Sequence, residues 1–264
     1  MPENTNKTNK ESWDKYQDDY MKFHLMKFPN YYESFSNGAV WLDDYLVAML
    51  GDVKGLKLLD TCCACDAKQA FSWHNLGAVV TACDITPSAI KIAKENAKKM
   101  NLNVDFIVDD MQTLTSINVN EFDVVFATYP VWLSNINEAF LTWNRILKKG
   151  GKLLLHAEHP FGHCFDIYSR EGGQESDDLL RVIQNYNEPS VIKYDTFDGT
   201  PLADGYGGWS VDMPSVEHFW RVSDIINAMC KAGFVISKVH ESGYSGEENA
   251  LKNMPMNIAI LAIK

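Results

Sequence analysis

Three aspartates stand where a nucleotide-like ligand could use them. Asp60, Asp84 and Asp110 each close a short apolar run, in Leu58-Leu59-Asp60, Ala82-Cys83-Asp84 and Val108-Asp109-Asp110. A carboxylate at the end of a second parallel strand can accept both hydroxyls of a ribose, and one at the end of the third can accept from an exocyclic adenine amine. Each could equally cap a helix or sit solvated at a strand end, but three in succession would face one crevice. Cys62-Cys63-Ala64-Cys65 follows the first aspartate. Its C-x-x-C spacing suits a thiol couple or half a zinc site, and also plain small residues in a tight loop. A zinc site needs a second ligand pair, for which His156-x-x-His159 is the nearby option.

These residues are held by a regular alternation. Apolar, β-branched runs at Leu56–Thr61, Ala78–Cys83, Val104–Val108, Phe122–Thr128 and Lys152–Ala157 are separated by helix-length amphipathic segments. Ala89, Ile92, Ala93, Asn96, Ala97 and Met100 keep helical spacing, leaving Lys91, Lys94, Lys98 and Lys99 as a solvated face. Ile136, Ala139, Phe140, Trp143, Ile146 and Leu147 form a second stripe, which Gly150-Gly151 is expected to close. Strands alternating with such helices predict right-handed βαβ units and an α/β, doubly wound, mostly parallel sheet. Ligands then bind at the carboxyl ends of the strands.

The flanks are different. Residues 1–12 are polar and are expected to be a disordered terminus, followed by an aromatic-rich helical cover over 13–55. After Phe161 the rhythm breaks, and Gly and Pro punctuate short candidate strands such as Ser190–Tyr194, so 162–215 reads as an inserted cap or substrate region. Residues 56–161 and 216–264 make the sheet domain, closed by Phe234–Val239 and Met256–Ile263.

Composition excludes several classes. The 264 residues carry 35 Asp+Glu against 24 Lys+Arg, a formal charge of -11, which disfavours nucleic acid as a partner. No segment reaches the roughly 20 apolar residues of a membrane span, and the start lacks a signal-peptide core, so a cytoplasmic protein, monomer or homodimer, is expected. Six sparse cysteines are then expected as thiols.

The run Leu58-Leu59-Asp60, Gly77-Ala78-Val79-Val80-Thr81-Ala82-Cys83-Asp84-Ile85, Asp109-Asp110-Met111, Phe122-Asp123-Val124-Val125-Phe126, Arg145 to Gly151 and His159-Pro160-Phe161 resembles the class I S-adenosylmethionine-dependent methyltransferases. Phe219 to Phe234 resembles the last helix and strand of the small-molecule branch, and the family implies a seven-stranded sheet. The first loop departs from the family, having no glycine between Gly55 and Gly77. Cys and Ala keep a close backbone approach, and Asp66 is the expected left-handed residue.

The resemblance makes Asp84, with Ile85, the ribose end and Asp110 and Met111 the adenine end. It places Asp60, Cys62, Cys63, Ala64 and Thr128 near the methionine portion, covered by Tyr16, Tyr20 and Phe35. It implies S-adenosylmethionine as cosubstrate and no metal. His159 is the expected base, with His156 and His218 behind it. Tyr129, Trp132, Tyr206, Trp209 and Trp220 would wall the acceptor, with cation–π contacts worth about 0.5–2 kcal/mol each. No Asn/Asp-Pro-Pro-aromatic motif follows strand four, which favours a small-molecule acceptor. Consumption of S-adenosylmethionine without methyl transfer, by cyclisation or elimination, and non-catalytic binding are the alternatives.

Overall fold

In the computed structural model, which describes residues 5–165, 182, 184–188, 190–195, 197–199, 209–243 and 254–264, seven strands form one sheet. They are β1 (Lys57–Asp60), β2 (Val79–Asp84), β3 (Asp105–Val108), β4 (Phe122–Thr128), β5 (Leu147–Glu158), β10 (Val235–Ser242) and β11 (Asn257–Ile263). Their order is β10-β11-β5-β4-β1-β2-β3. β1 to β5 pair in parallel and β11 is antiparallel to both neighbours, so the sheet reverses its winding between β1 and β4. The expected doubly wound architecture is present.

Burial explains the runs. β4 and β11 are covered on both faces and read as continuous apolar segments, as central strands of such sheets do. One face packs Leu58, Val80, Phe126, Phe71 and Trp73 beneath α2 (Tyr31–Ser36), α4 (Lys68–Asn75) and α5 (Pro87–Met100). The other packs Leu59, Val125, Leu155, Phe140 and Trp143 beneath α6 (Ile136–Ile146) and α7 (Val222–Lys231). The α5 lysines are exposed, as the spacing requires.

Three boundaries move. Helix α1 spans Thr5–Lys27, so residues 5–12 are ordered rather than frayed. Thr5, Asn9 and Ser12 lie buried at helical spacing, and polar bonds rather than apolar area fix them. Asn9 Nδ2 donates to the Val216 carbonyl at 2.9 Å and its Oδ1 accepts the Val216 N–H at 2.8 Å. Ser12 Oγ donates to Pro214 O, and Thr5 Oγ1 meets His218 Nε2 at 2.9 Å.

The cap also reaches further than 215. β9 (Ser215–Phe219) pairs antiparallel with β6 (Ser190–Tyr194) outside the main sheet. A second hairpin joins β7 (Phe197–Gly199) to β8 (Trp209–Val211). Finally, α6 stops at Ile146, and Gly150 and Gly151 lie inside β5. A Cβ on Gly151 would stand 2.9 Å from the Lys148 carbonyl, so close backbone approach explains this glycine better than a helix cap.

Candidate active site

A single cavity of about 1070 Å³ crosses the carboxyl ends of the strands. From β3 to β10 its floor is Asp110 and Met111, then Asp84 and Ile85, then Thr61, Cys62 and Ala64, then Thr128 to Trp132, then His156 to Glu158, then Asn257, and last His240 and Ser242. Asn6, Asn9, Trp13, Gln17 and Tyr20 of α1 close one side, and Trp41 to Leu46, at the start of α3 (Asp44–Leu50), another. His163 and Glu217 enter from the cap side.

The first compartment is built by tight turns. Asp84 ends β2, and its Oδ1 accepts from the Thr86 N–H (2.9 Å) and hydroxyl (2.7 Å). Its Oδ2 accepts the Ala64 N–H at 3.0 Å, which ties the loop after β1 to the end of β2. Burial raises the Asp84 pKa against these donors. Asp110 accepts from Gln112 N–H at 2.9 Å and from Asn6 of α1, and burial raises it too. Asp60 is fully buried beneath the loop rather than on the cavity wall. It accepts from the Cys62 N–H at 3.3 Å, and burial pushes its pKa up to about 7.

The glycine-free loop takes its left-handed turns at Ala64 (φ 52°) and Ala67 (φ 43°), not at Asp66. Asp66 is instead clamped from three sides. Tyr31 donates to its carbonyl, and His24 Nδ1 and Lys68 Nζ lie 3.3 and 3.9 Å from its Oδ2. Alanine carries the smallest side chain that such a turn must tolerate. Cys62 reaches the cavity, whereas Cys63 and Cys65 sit in the core. All six cysteines are free, and burial raises the thiols of Cys62, Cys63, Cys65 and Cys83 well above their ordinary range, away from thiolate chemistry.

The second compartment, over β5, β11 and β10, is polar. Tyr45 Oη lies 2.9 Å from His156 Nε2, and its ring stacks on His240 at 4.3 Å. Burial lowers the His156 pKa. His163 Nε2 stands 3.1 Å from Glu158 Oε2. Burial opposes both charges, yet their attraction prevails, raising the imidazole and lowering the carboxyl.

Several expected residues lie elsewhere. His159 is outside the cavity, with Nε2 2.9 Å from Glu241 Oε1 and Nδ1 accepting the Phe161 N–H at 3.0 Å. Strand alternation turns His156 and Glu158 toward the cavity and His159 away. Phe35 is buried in the cover against Trp41, at 4.7 Å, and Tyr16 donates outside the cavity to the Asp212 carbonyl. His218 is bound to Thr5 and stacked on Trp220, whose Nε1 donates to Leu133 O behind the wall. Tyr20, Tyr129 and Trp132 do line the cavity. Trp13, at the start of the expected aromatic cover, also lines it and meets Trp132 edge-on at 6.2 Å. Tyr206 and the Trp209 side chain lie outside the described residues. Tyr45, Glu158, His163, Glu217 and His240 also line the cavity, beyond the residues expected from sequence. The signal available was that His156 and Glu158 share one strand face.

Residues 59–155 match the family described as a methyltransferase domain. The chain is 32% identical over 115 residues to a ubiquinone biosynthesis O-methyltransferase of Xanthomonas oryzae pv. oryzae, covering 42% of this chain and 46% of that protein. It is 28% identical over 151 residues to a demethylmenaquinone methyltransferase of Lactococcus lactis subsp. lactis, covering 51% and 56%. The chain thus spans about half the length of the curated relatives it matches. A crystal structure of an S-adenosylmethionine dependent methyltransferase from Mesorhizobium loti shares the fold, with TM-score 0.63, 21% identity, and coverage of 83% of this chain and 96% of that one. No described helix is long and apolar enough to cross a membrane.

Proposed function

We propose that the chain belongs to the class I S-adenosylmethionine-dependent methyltransferase family and that it moves the methyl group of S-adenosylmethionine to a small polar molecule bound over β5, β11 and β10. The observation that carries this reading is the single cavity joining the Asp84 and Asp110 carboxylates, across the switch point between β1 and β4, to the His156, Glu158 and His240 compartment.

The residues present fit the cosubstrate. Three of the roughly four lone-pair sites of Asp84 already accept protein donors, and the one that remains, on Oδ2, can take a ribose hydroxyl. Asp110 and Met111 would hold the adenine. Thr61 Oγ1 and Thr128 Oγ1 are buried with no partner among the described residues, at the ends of the two strands flanking the switch point. Buried hydroxyls left without partners suit a ligand carrying both an ammonium and a carboxylate. When bound, the sulfonium supplies an electrophilic methyl group. Trp13, Trp132 and Tyr129 would exclude water from that end and face the sulfonium with their rings.

The wall charges favour an uncharged or cationic acceptor. Asp43, Asp44, Glu158 and Glu217 border the second compartment, and Lys68 is the lone lysine or arginine among the described residues lining the whole cavity. An anionic acceptor would meet like charge at low dielectric.

Incubation with S-adenosylmethionine and a panel of catechol, 2-aminophenol and tyramine tests the reading. Acceptor-dependent S-adenosylhomocysteine is the expected product. Methylthioadenosine formed from S-adenosylmethionine alone would instead mark an enzyme that consumes the molecule without transfer.

A further inference from the structure

We infer that Glu217, on cap strand β9, is the group that takes the proton from the acceptor as its methyl group arrives. The inference rests on the methyltransferase reading and names the proton acceptor at that site.

Elimination among the neighbouring groups leads to Glu217. His163 is tied to Glu158 at 3.1 Å, so the pair is spent as imidazolium and carboxylate, and neither is a useful base near neutral pH. His156 is engaged by Tyr45 at 2.9 Å, and burial weakens it as a base. His159 and His218 are partnered outside the cavity. Glu217 remains.

The surroundings of Glu217 suit the task. It stands opposite Ile192 in the β6–β9 hairpin, so Tyr194 is its diagonal neighbour and hydrogen-bonds to its carboxyl group. His163 and Glu158 face it from β5 and the turn that follows, with His156 behind them. Asp43, Asp44 and Tyr45 face the compartment from α3, and His240 from β10. Burial raises Glu217 to about 7; Glu158 adds to the rise, while His163 and Tyr194 oppose it. A carboxylate tuned to neutral pH is a strong general base that still releases its proton readily.

The step balances. A lone pair on the acceptor oxygen or nitrogen forms the bond to the methyl carbon, and the carbon–sulfur bond breaks with its electron pair staying on sulfur. The O–H or N–H proton passes to a Glu217 oxygen. One positive charge on sulfur and one negative charge on Glu217 are lost together, so the poorly solvated cavity gains no net charge.

The first test needs no turnover. Protein carrying ¹³C-carboxyl glutamate is saturated with S-adenosylhomocysteine and titrated by NMR, with Glu217→Gln assigning the resonance. A midpoint near 7 is expected, and a midpoint in the ordinary range near 4.5 overturns the proposal. The second test follows single turnover with the first member of the catechol, 2-aminophenol and tyramine panel that the native protein methylates. Its rate should rise with pH through about 7. E217Q should lower the plateau by about 100-fold and abolish the inflection with little change in S-adenosylmethionine binding. Tyr194→Phe removes a donor that favours the charged form, so it should move the inflection to higher pH, which loosening of the cap would not do. A native pH profile in E217Q overturns the inference while leaving methyl transfer intact. Absence of turnover by the native protein overturns the methyltransferase reading instead, and the titration still decides on Glu217.

Discussion

Replacing Asp60 by Asn isolates the cost of burying an acid beneath the loop after β1. The side chain is fully buried, its Oδ2 has no partner among the described residues, and burial moves its pKa from 3.8 to about 7. Between those values the folded state binds more protons than the unfolded state, so stability falls as pH rises from about 4 and levels off above about 7. A difference of roughly 3 units at 1.36 kcal/mol each corresponds to about 4 kcal/mol between the two ends of that window. Asn keeps the acceptor for the Cys62 N–H and carries no charge, so D60N should lack this dependence. Urea denaturation of both proteins at half-unit steps from pH 4.5 to 8.5 measures it. The native curve should fall by several kcal/mol relative to D60N, most steeply between pH 5 and 7. Parallel curves would refute the assignment and mean that water or a donor reaches the carboxylate.

Three further outcomes follow from the same geometry. S-adenosylmethionine should bind with release of protons near pH 6.5, because its cationic sulfonium favours ionised Asp60, while neutral S-adenosylhomocysteine should release fewer; calorimetry in buffers of different ionisation enthalpy reads this, and equal release refutes it. Ala64→Gly should stabilise the protein by about 0.5–1 kcal/mol in urea, since relief of a left-handed alanine at φ 52° exceeds the entropy that glycine adds to the unfolded chain. Asn9→Ala should cost about 1–3 kcal/mol, because it leaves both polar groups of Val216 unpaired, and it should speed hydrogen exchange at the Val216 amide and weaken S-adenosylhomocysteine binding as α1 loosens.

The sheet was legible because each strand and helix carries its own periodic signal. Val79 to Asp84 and Ala89 to Met100 need no distant partner to be recognised. Where burial depends on a distant partner, the signal disappears. Asn9 and Ser12 lie in a run polar enough to pass for a frayed end, and only β9, some 200 residues away, makes their burial favourable. The same holds for β9 itself, since Ser215–Phe219 reads equally well as an entry to α7 or as the partner of β6. In the site, the carboxylates at the ends of β2 and β3 follow from topology alone, and both reach the cavity. His159 and Phe35 carry the expected side-chain types, but neighbours that the sequence does not reveal claim them. Glu217 gave no sign, because a lone Glu in a short strand looks like solvated surface until the cavity encloses it.

The distribution of charge in the cavity also bears on turnover under the proposed reaction. Asp84 and Asp110 border the nucleoside end, and Asp43, Asp44 and Glu217 the acceptor end, where Glu158 is paired with His163; Lys68 is the lone lysine or arginine among the lining residues described. Burial raises the pKa values of Asp84 and Asp110, so each would gain from a nearby positive charge. S-adenosylmethionine brings that charge and S-adenosylhomocysteine does not. Transfer therefore removes the attraction that favoured binding just as Glu217 becomes neutral. An acid-lined cavity of this kind is better matched to the sulfonium than to the thioether, which favours exchange of product for fresh cosubstrate without any change in the shape of the site.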